Sequence, residues 1–254
     1  MKKYLVIFFK IILTTLFITL LSYLLREAVG KDLLVAENSG FGWYVGIMGT
    51  LYTLFAAFII ITVWGQFTTT SSQINKEAKL LTSIWNFTDY LNDKGITKKM
   101  RNAIVVYIEK VLNHEQLQLA KQERTVHPSP ELLVIFKVID QVNFDDQRDM
   151  AVYPSLIKAY ENLSTIRSER IESGLTRIPF FVKFLFIVLN LNLLSANALV
   201  GYISLGIFLF SIITCTLVIV TAYFVVLDLD NPFSGTWNID FSPLEQAKKY
   251  ILSA

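Results

Sequence analysis

The chain has 254 residues and a mass of 29.0 kDa; 53% of them are hydrophobic, only 17% are charged, and the mean hydropathy is +0.48. Soluble domains carry about 25% charged residues, so this balance points to a membrane protein and excludes a disordered chain, a collagen-like fibre and a disulfide-stapled domain. The one cysteine, Cys215, has no internal partner and reads as a small packed hydrophobe, and a formal charge of +2 is too small to suggest nucleic-acid binding.

In chain order, residues 4–25 are apolar apart from Lys10, residues 38–75 hold no acid or base, and residues 184–227 again hold none. A helix crossing about 30 Å of hydrocarbon needs about 20 residues. The last run is too long for one span, and Ser195-Ala196-Asn197-Ala198 is the expected turn within it. The expected fold is therefore all-α, with four transmembrane helices and a helical cytoplasmic domain. Residues 1–67 carry spans one and two with an outer loop at 26–42. Residues 68–177 form the cytoplasmic domain, 178–227 carry spans three and four, and 228–254 form a tail.

Lys and Arg give the orientation. Of 23 basic residues only Arg26 and Lys31 fall between spans one and two. Both termini and the middle segment are thus expected on the cytoplasmic side of an inner (plasma) membrane. Met1-Lys2-Lys3 with the apolar run behind it reads as an uncleaved anchor, because the run exceeds a signal-peptide core. Lys10 and Lys183 lie near cytoplasmic span ends, where snorkelling to headgroups is the expected arrangement.

The middle segment reads as helix throughout. Ile74, Ala78, Leu81, Trp85, Thr88 and Leu91 recur at helical spacing, and no Gly or Pro interrupts residues 66–94. Span two is expected to continue as one long helix ending at Lys94-Gly95. A second helix is expected from Thr97 to about Lys121, with Ile104, Ile108, Val111 and Leu119 on one side. Ser129 caps a third at Pro130, running to about Val142, and a fourth covers residues 155–177 after Pro154. In the tail, Ser242, Pro243 and Glu245 fit a capping box before a short amphipathic helix docked on the cytoplasmic helices or lying on the membrane.

Three segments carry a family resemblance. Gly49-Thr50-Leu51-Tyr52-Thr53-Leu54-Phe55-Ala56-Ala57-Phe58 leads to Trp64-Gly65-Gln66-Phe67 and Glu77-Ala78; Asn162-Leu163-Ser164-Thr165-Ile166-Arg167-Ser168-Glu169-Arg170-Ile171 precedes span three; Asp228-Leu229-Asp230-Asn231-Pro232-Phe233-Ser234-Gly235 follows span four. Together they resemble the bestrophin-like family, a domain family distantly similar to the bestrophin ion channels. The resemblance implies a pentamer with four spans per subunit and a helical cytoplasmic domain. It implies conduction of small ions, leaning to anions. The residues themselves offer no nucleophile–histidine–acid set and no phosphate-cradling Gly loop, so no enzymatic activity and no cofactor are expected.

Span two is the pore candidate on residue chemistry as well. Gly42, Gly46, Thr50, Thr53 and Ala57 form a strip of small or weakly polar side chains at spacings of 4, 4, 3 and 4, opposite Ile47, Leu51, Phe55, Phe58 and Ile59. Such a strip serves either close helix packing or a wet ion path. Aligning Trp64-x-Gln66-Phe67 with the corresponding bestrophin motif puts the neck at Gly46, Thr50 and Leu54. The expected lining is Gly46, Thr50, Leu54, Ala57 and Ile61, wider and more polar than the bulky neck of bestrophins.

The remaining motifs are weaker. Counted from Asp228, a calcium loop would need Gly and Glu where Phe233 and Ile239 stand, so calcium gating is not expected. Asp228, Asp230, Asn231, Pro232 and Phe233 instead read as a tight exit turn, with Arg167 and Arg170 as candidate salt-bridge partners. Asp145-Asp146 reads as a solvated turn. Asn190, Asn192 and Asn197 call for interhelical hydrogen bonds or a wet cavity. His114 and His127 lack metal-ligand spacing, and spans two to four hold no acid for proton coupling. The competing class is a non-conducting membrane anchor whose helical domain binds a partner. A channel must oligomerise, because one four-span subunit is too small to enclose an aqueous pore.

Overall fold

The computed structural model describes residues 2–30, 34, 38–123, 129–144 and 147–254. The helices are α1 (Lys2–Val29), α2 (Asn38–Tyr90), α3 (Lys94–Lys110), a π-helical turn (Val111–Glu115), α4 (Gln116–Ala120), α5 (Pro130–Ile139), α6 (Gln147–Leu175), α7 (Phe180–Ala198), α8 (Leu205–Leu229) and α9 (Ser242–Ser253). There is no strand among the described residues, in keeping with the all-α expectation. Among the described residues four helices are long and apolar enough to cross a membrane: Tyr4–Val29, Gly42–Tyr90, Phe180–Ala198 and Leu205–Leu229.

The chain divides into two compact units. The first comprises Met1–Gly65 and Arg177–Asp230, and the second Gln66–Thr176 and Asn231–Ala254.

In the first unit α1 packs chiefly on α8, with α7 touching both. Tyr52 of α2 stacks on Phe186 of α7 at 6.1 Å between ring centroids, and Phe55 lies against the same ring. Large apolar side chains cover the outside, among them Phe17, Trp43, Phe58, Phe181 and Phe210. Water would not leave such a surface exposed; lipid or other protein must cover it. Gly30, in the left-handed region at φ 92°, ends α1 and gives its N–H to the Arg26 carbonyl.

The expected turn at 195–198 lies instead at 199–204, because Ser195 donates back to the Leu191 carbonyl and the helix runs on to Ala198. Two of the span-three amides have interhelical partners. Asn192 accepts from Tyr44 at 3.0 Å, and Asn197 accepts from Tyr202 and from Ser211 of α8. The Asn190 Oδ1 is buried without a partner.

The second unit has a closed hydrophobic core. The stripe expected on α2, Ile74 to Leu91, is buried throughout, and it joins Met100 and Ile104 of α3, Leu132 and Ile135 of α5, and Leu156 and Leu163 of α6. Each such buried side chain contributes about 1.5–3 kcal/mol. Asn92, at φ 58°, turns the chain after α2, and the Asp93 carboxylate caps α3 by accepting from Gly95 and Ile96. Ser129 caps α5 as expected, accepting from Leu132. His127 and Asp145-Asp146 lie outside the described residues.

Three expectations about this unit need correction. The helix after Asp93 is not uniform, since a π turn at Val111–Glu115 inserts one extra residue. α6 starts at Gln147 and carries Pro154 inside it. The carbonyl left without a partner by that proline belongs to Met150, an exposed position where water can bond it. The tail helix is not capped by Ser242; its N–H and hydroxyl both donate to Asp240, whose carboxyl these bonds hold below the usual range. α9 docks on α3 through Leu244, Ala247 and Ile251, with Lys248 paired to Glu109 at 2.7 Å.

Candidate functional site

On α2, the residues expected to line a pore share the side of the helix that its own unit leaves uncovered. Gly46, Thr50, Leu54, Ala57 and Ile61 are all exposed, while Tyr52, Ala56, Ile59 and Val63 form the buried seam. A Cβ added at Gly42, Gly46 or Gly49 would meet nothing within 4 Å. The strip therefore makes no close packing inside this chain at those glycines. Thr50 and Thr53 donate to the carbonyls of Gly46 and Gly49, so both hydroxyls are satisfied within the helix while their oxygens can still accept. The apolar strip opposite is not the buried one: Ile47, Leu51 and Phe58 are exposed too, and only Phe55 and Ile59 turn inward. Composition distinguished a small face from a bulky one, but burial runs along a third line between them.

At the exit from α8 the acidic residues separate. Asp230 is buried and ends the helix; it accepts from the Ile178 N–H at 2.8 Å and from Lys183 at 2.6 Å. Lys183 thus has a carboxylate partner and does not rely on snorkelling alone. Asp228 is half-buried. Asn231 closes the following turn, accepting from Phe233 through its side chain and from Ser234 through its carbonyl, and its amide donates to the Ala120 carbonyl. Pro232 accepts from Ile239, and Phe233 is buried against Phe241 and Gly174, where an added Cβ would lie 2.4 Å from the ring.

Arg167 and Arg170 form their ion pairs elsewhere than with the exit-turn acid. Both are fully buried in the second unit. Arg170 donates from Nε to Glu77 Oε2 at 2.5 Å and from Nη2 to Glu115 Oε2 at 2.7 Å, while Arg167 bonds the other oxygen of Glu115. Tyr107 donates to Glu77 Oε1 at 2.5 Å. The physical reason for the correction is charge balance: two guanidiniums in a dry core need two carboxylates, and α2 and the π turn supply them.

Burial alone would raise the Glu115 carboxyl, but Arg170 and Arg167 outweigh it and hold it below the usual carboxylate range. Burial and the facing Glu77 carboxylate push the Tyr107 phenol well up, so it remains a donor. Burial would lower the Arg170 guanidinium, yet Glu77 and Glu115 raise it further still. The network is neutral, two carboxylates against two guanidiniums, and it ties α2, the π turn and α6 together. One further polar contact, Gln73 to Ser173 at 3.2 Å, lies beside it.

Sequence reading missed Glu77, Glu115 and Tyr107. Their signal was present: Glu77 lies between Ile74 and Leu81 on the buried stripe, and Glu115 lies midway between Val111 and Leu119. A carboxylate on an apolar face announces a buried cation. Among the described residues no three His, Cys, Asp or Glu side chains are grouped to hold a metal.

A sequence profile of the bestrophin-like domain matches residues 12–244. The chain belongs to the bestrophin-like family. Its fold is shared with solved bestrophin homologues. A single-substitution variant of a bacterial bestrophin homologue from Klebsiella pneumoniae superposes with a TM-score of 0.74 at 12% identity, covering 96% of this chain and 99% of that one. A second variant of that homologue gives 0.72 at 14% identity, over 96% and 98%. A variant described as a membrane protein gives 0.71 at 15% identity, over 97% of each chain. At these identities the likeness is one of fold. None of the curated proteins compared matches the sequence.

Proposed function

We propose that this bestrophin-like protein is a subunit of an oligomeric ion channel: a pentamer in which α2 lines the conduction path through Gly46, Thr50, Leu54, Ala57 and Ile61. The observation that carries the reading is the uncovered strip on α2, open at three glycines, in a chain of this family. A strip without intrachain neighbours is what a ring of subunits would close around an axis. The bases and acids of the sequence support a multi-pass topology in the inner membrane with both termini cytoplasmic. Anions are favoured over cations because the family leans that way; the outer loop, with net charge −1 per subunit, does not add to that preference.

The test has two steps. Native mass spectrometry in mild detergent should show a ring of five subunits, and a persistent monomer or dimer would favour the non-conducting anchor instead. In bilayer recordings, Thr50→Trp and Leu54→Trp should each abolish most of the single-channel current, because a ring of five indoles would fill the axial path. Unchanged current in both variants would remove α2 from the pore.

A further inference from the structure

Within the second unit, an apolar groove lies between α3 and α5. The two helices pack antiparallel: Lys99 of α3 bonds Gln141 just past the end of α5, and Lys110 lies 3.8 Å from Glu131 in the first turn of α5. The groove has a volume of about 400 Å³, the scale of a small-molecule site. Val106, Val134 and Val138 line it, the first two 53% and 46% exposed. Its character follows from the sequence of α5, in which only Glu131 and Lys137 of ten residues are charged. That helix buries Leu132, Ile135 and Ile139 and is still apolar on the side facing the groove. Such a helix calls for a cover on its second face.

The polar groups at its two ends are unequal. At one end Lys99 gives a bond to the neutral Gln141 Oε1 at 2.6 Å and meets no carboxylate among the described residues. One turn further along α3, the Asn102 amide lines the groove, is exposed, and has no hydrogen bond there. At the other end Glu131 already faces Lys110 with one oxygen, and its second oxygen is sealed from solvent. A ligand thus finds open donors at the Lys99 end and no open acceptor opposite. The valine floor offers nothing to the N–H and C=O groups of an extended peptide, which would go unmet there. A helix, about 10–12 Å across with its side chains, exceeds the space. An alkyl chain needs no polar partner and fits both the floor and the volume.

We propose that the groove between α3 and α5 binds a medium-chain alkyl carboxylate, with the chain along Val106, Val134 and Val138 and the carboxylate at Lys99 and Asn102. The site lies wholly within the second unit and stands whether or not the chain conducts.

The test is photolabelling of the full-length protein in lipid nanodiscs with a diazirine-bearing decanoate, the labels mapped by peptide mass spectrometry. Labels should fall on residues 102–106 and 130–138 and should saturate. Unlabelled decanoate should displace them several-fold more effectively than decanol, which has the chain without the charge. Lys99→Gln should cut the labelling several-fold and remove the advantage of decanoate over decanol, and Val134→Asp, at an exposed position, should abolish it. Absence of label from the groove, equal displacement by decanol, or labelling that Lys99→Gln leaves intact overturns the site. Label that enters only after the subunits are dissociated would mean that a second copy covers the groove, which overturns it equally. Should Lys99→Gln fail to fold, Asn102→Ala decides, and undiminished labelling in that variant overturns the proposal.

Discussion

In the second unit four ionised side chains, Glu77, Glu115, Arg167 and Arg170, are packed into the interior and joined in one network. Among the described residues of the first no such network forms: Arg26 donates to a backbone carbonyl, and Asp230 pairs with one half-exposed lysine. Outer surfaces differ in the opposite sense, for the second unit closes its apolar side chains into one core while the first turns many of them outward. A unit with a closed apolar core holds a dry ionic centre only if every charge is matched within it, whereas a unit that turns its apolar side chains outward buries few charges.

Breaking the matched centre should give the largest effect. Arg170→Met leaves Glu77 and Glu115 facing each other in a dry core, at a cost of about 3–5 kcal/mol. The loss is read as a lower denaturation midpoint in detergent. Lys183→Met is the control from the other unit. Its side chain is 35% exposed, and Asp230 keeps the Ile178 amide, so the expected cost is about 1–2 kcal/mol. Equal costs would mean that the buried network is no more tightly balanced than an edge pair.

Acid should separate the units next. The Glu115 carboxyl lies below its ordinary value of 4.5 in the folded protein. Its contribution to stability is therefore complete above about pH 4.5 and is lost as pH falls through the lower folded value. Unfolding midpoints measured downward from pH 6 should fall in this window. Glu115→Gln, already less stable at pH 6, should show a shallower decline. An identical slope in both would assign the acid sensitivity to other carboxylates.

That network also marks where sequence reasoning stopped. The helices, the four spans and the stripe from Ile74 to Leu91 were legible because they depend on spacing within one segment. Arg167 and Arg170 stood out as residues in need of acids. Which acids they meet depends on packing between residues 52 to 93 positions apart, which periodicity does not encode. The π turn was hidden for a related reason: one inserted residue rotates the helix so that Glu115 faces inward, and a stripe read at 3.6 spacing passes over it. The small face of α2 was legible as a strip, but the side on which its own chain covers it was not.

Glycine substitutions sharpen the contrast at closer range. Gly174→Ala would press a methyl group into the buried Phe233 ring, which Phe241 backs from another side. Overpacking of this kind costs about 1–3 kcal/mol. A stability unchanged to within a few tenths would show that the ring turns aside freely and that the exit turn is loosely held.

Gly46→Ala is the smallest expected change and the most informative about assembly. Nothing in the chain lies within 4 Å of the added Cβ, and alanine is the better helix former. The unfolding midpoint of dissociated subunits should therefore hold steady or rise, by up to about 1 kcal/mol in stability. Whatever else the substitution alters must come from outside the chain: a reduced current, or a ring that dissociates more readily in native mass spectra, identifies a neighbouring copy or the ion path at Gly46. A destabilisation of the dissociated subunit comparable to that of Gly174→Ala would mean that the strip is already packed within its own chain. The face would then belong to the fold, and α2 would no longer be the helix that a ring of subunits shares.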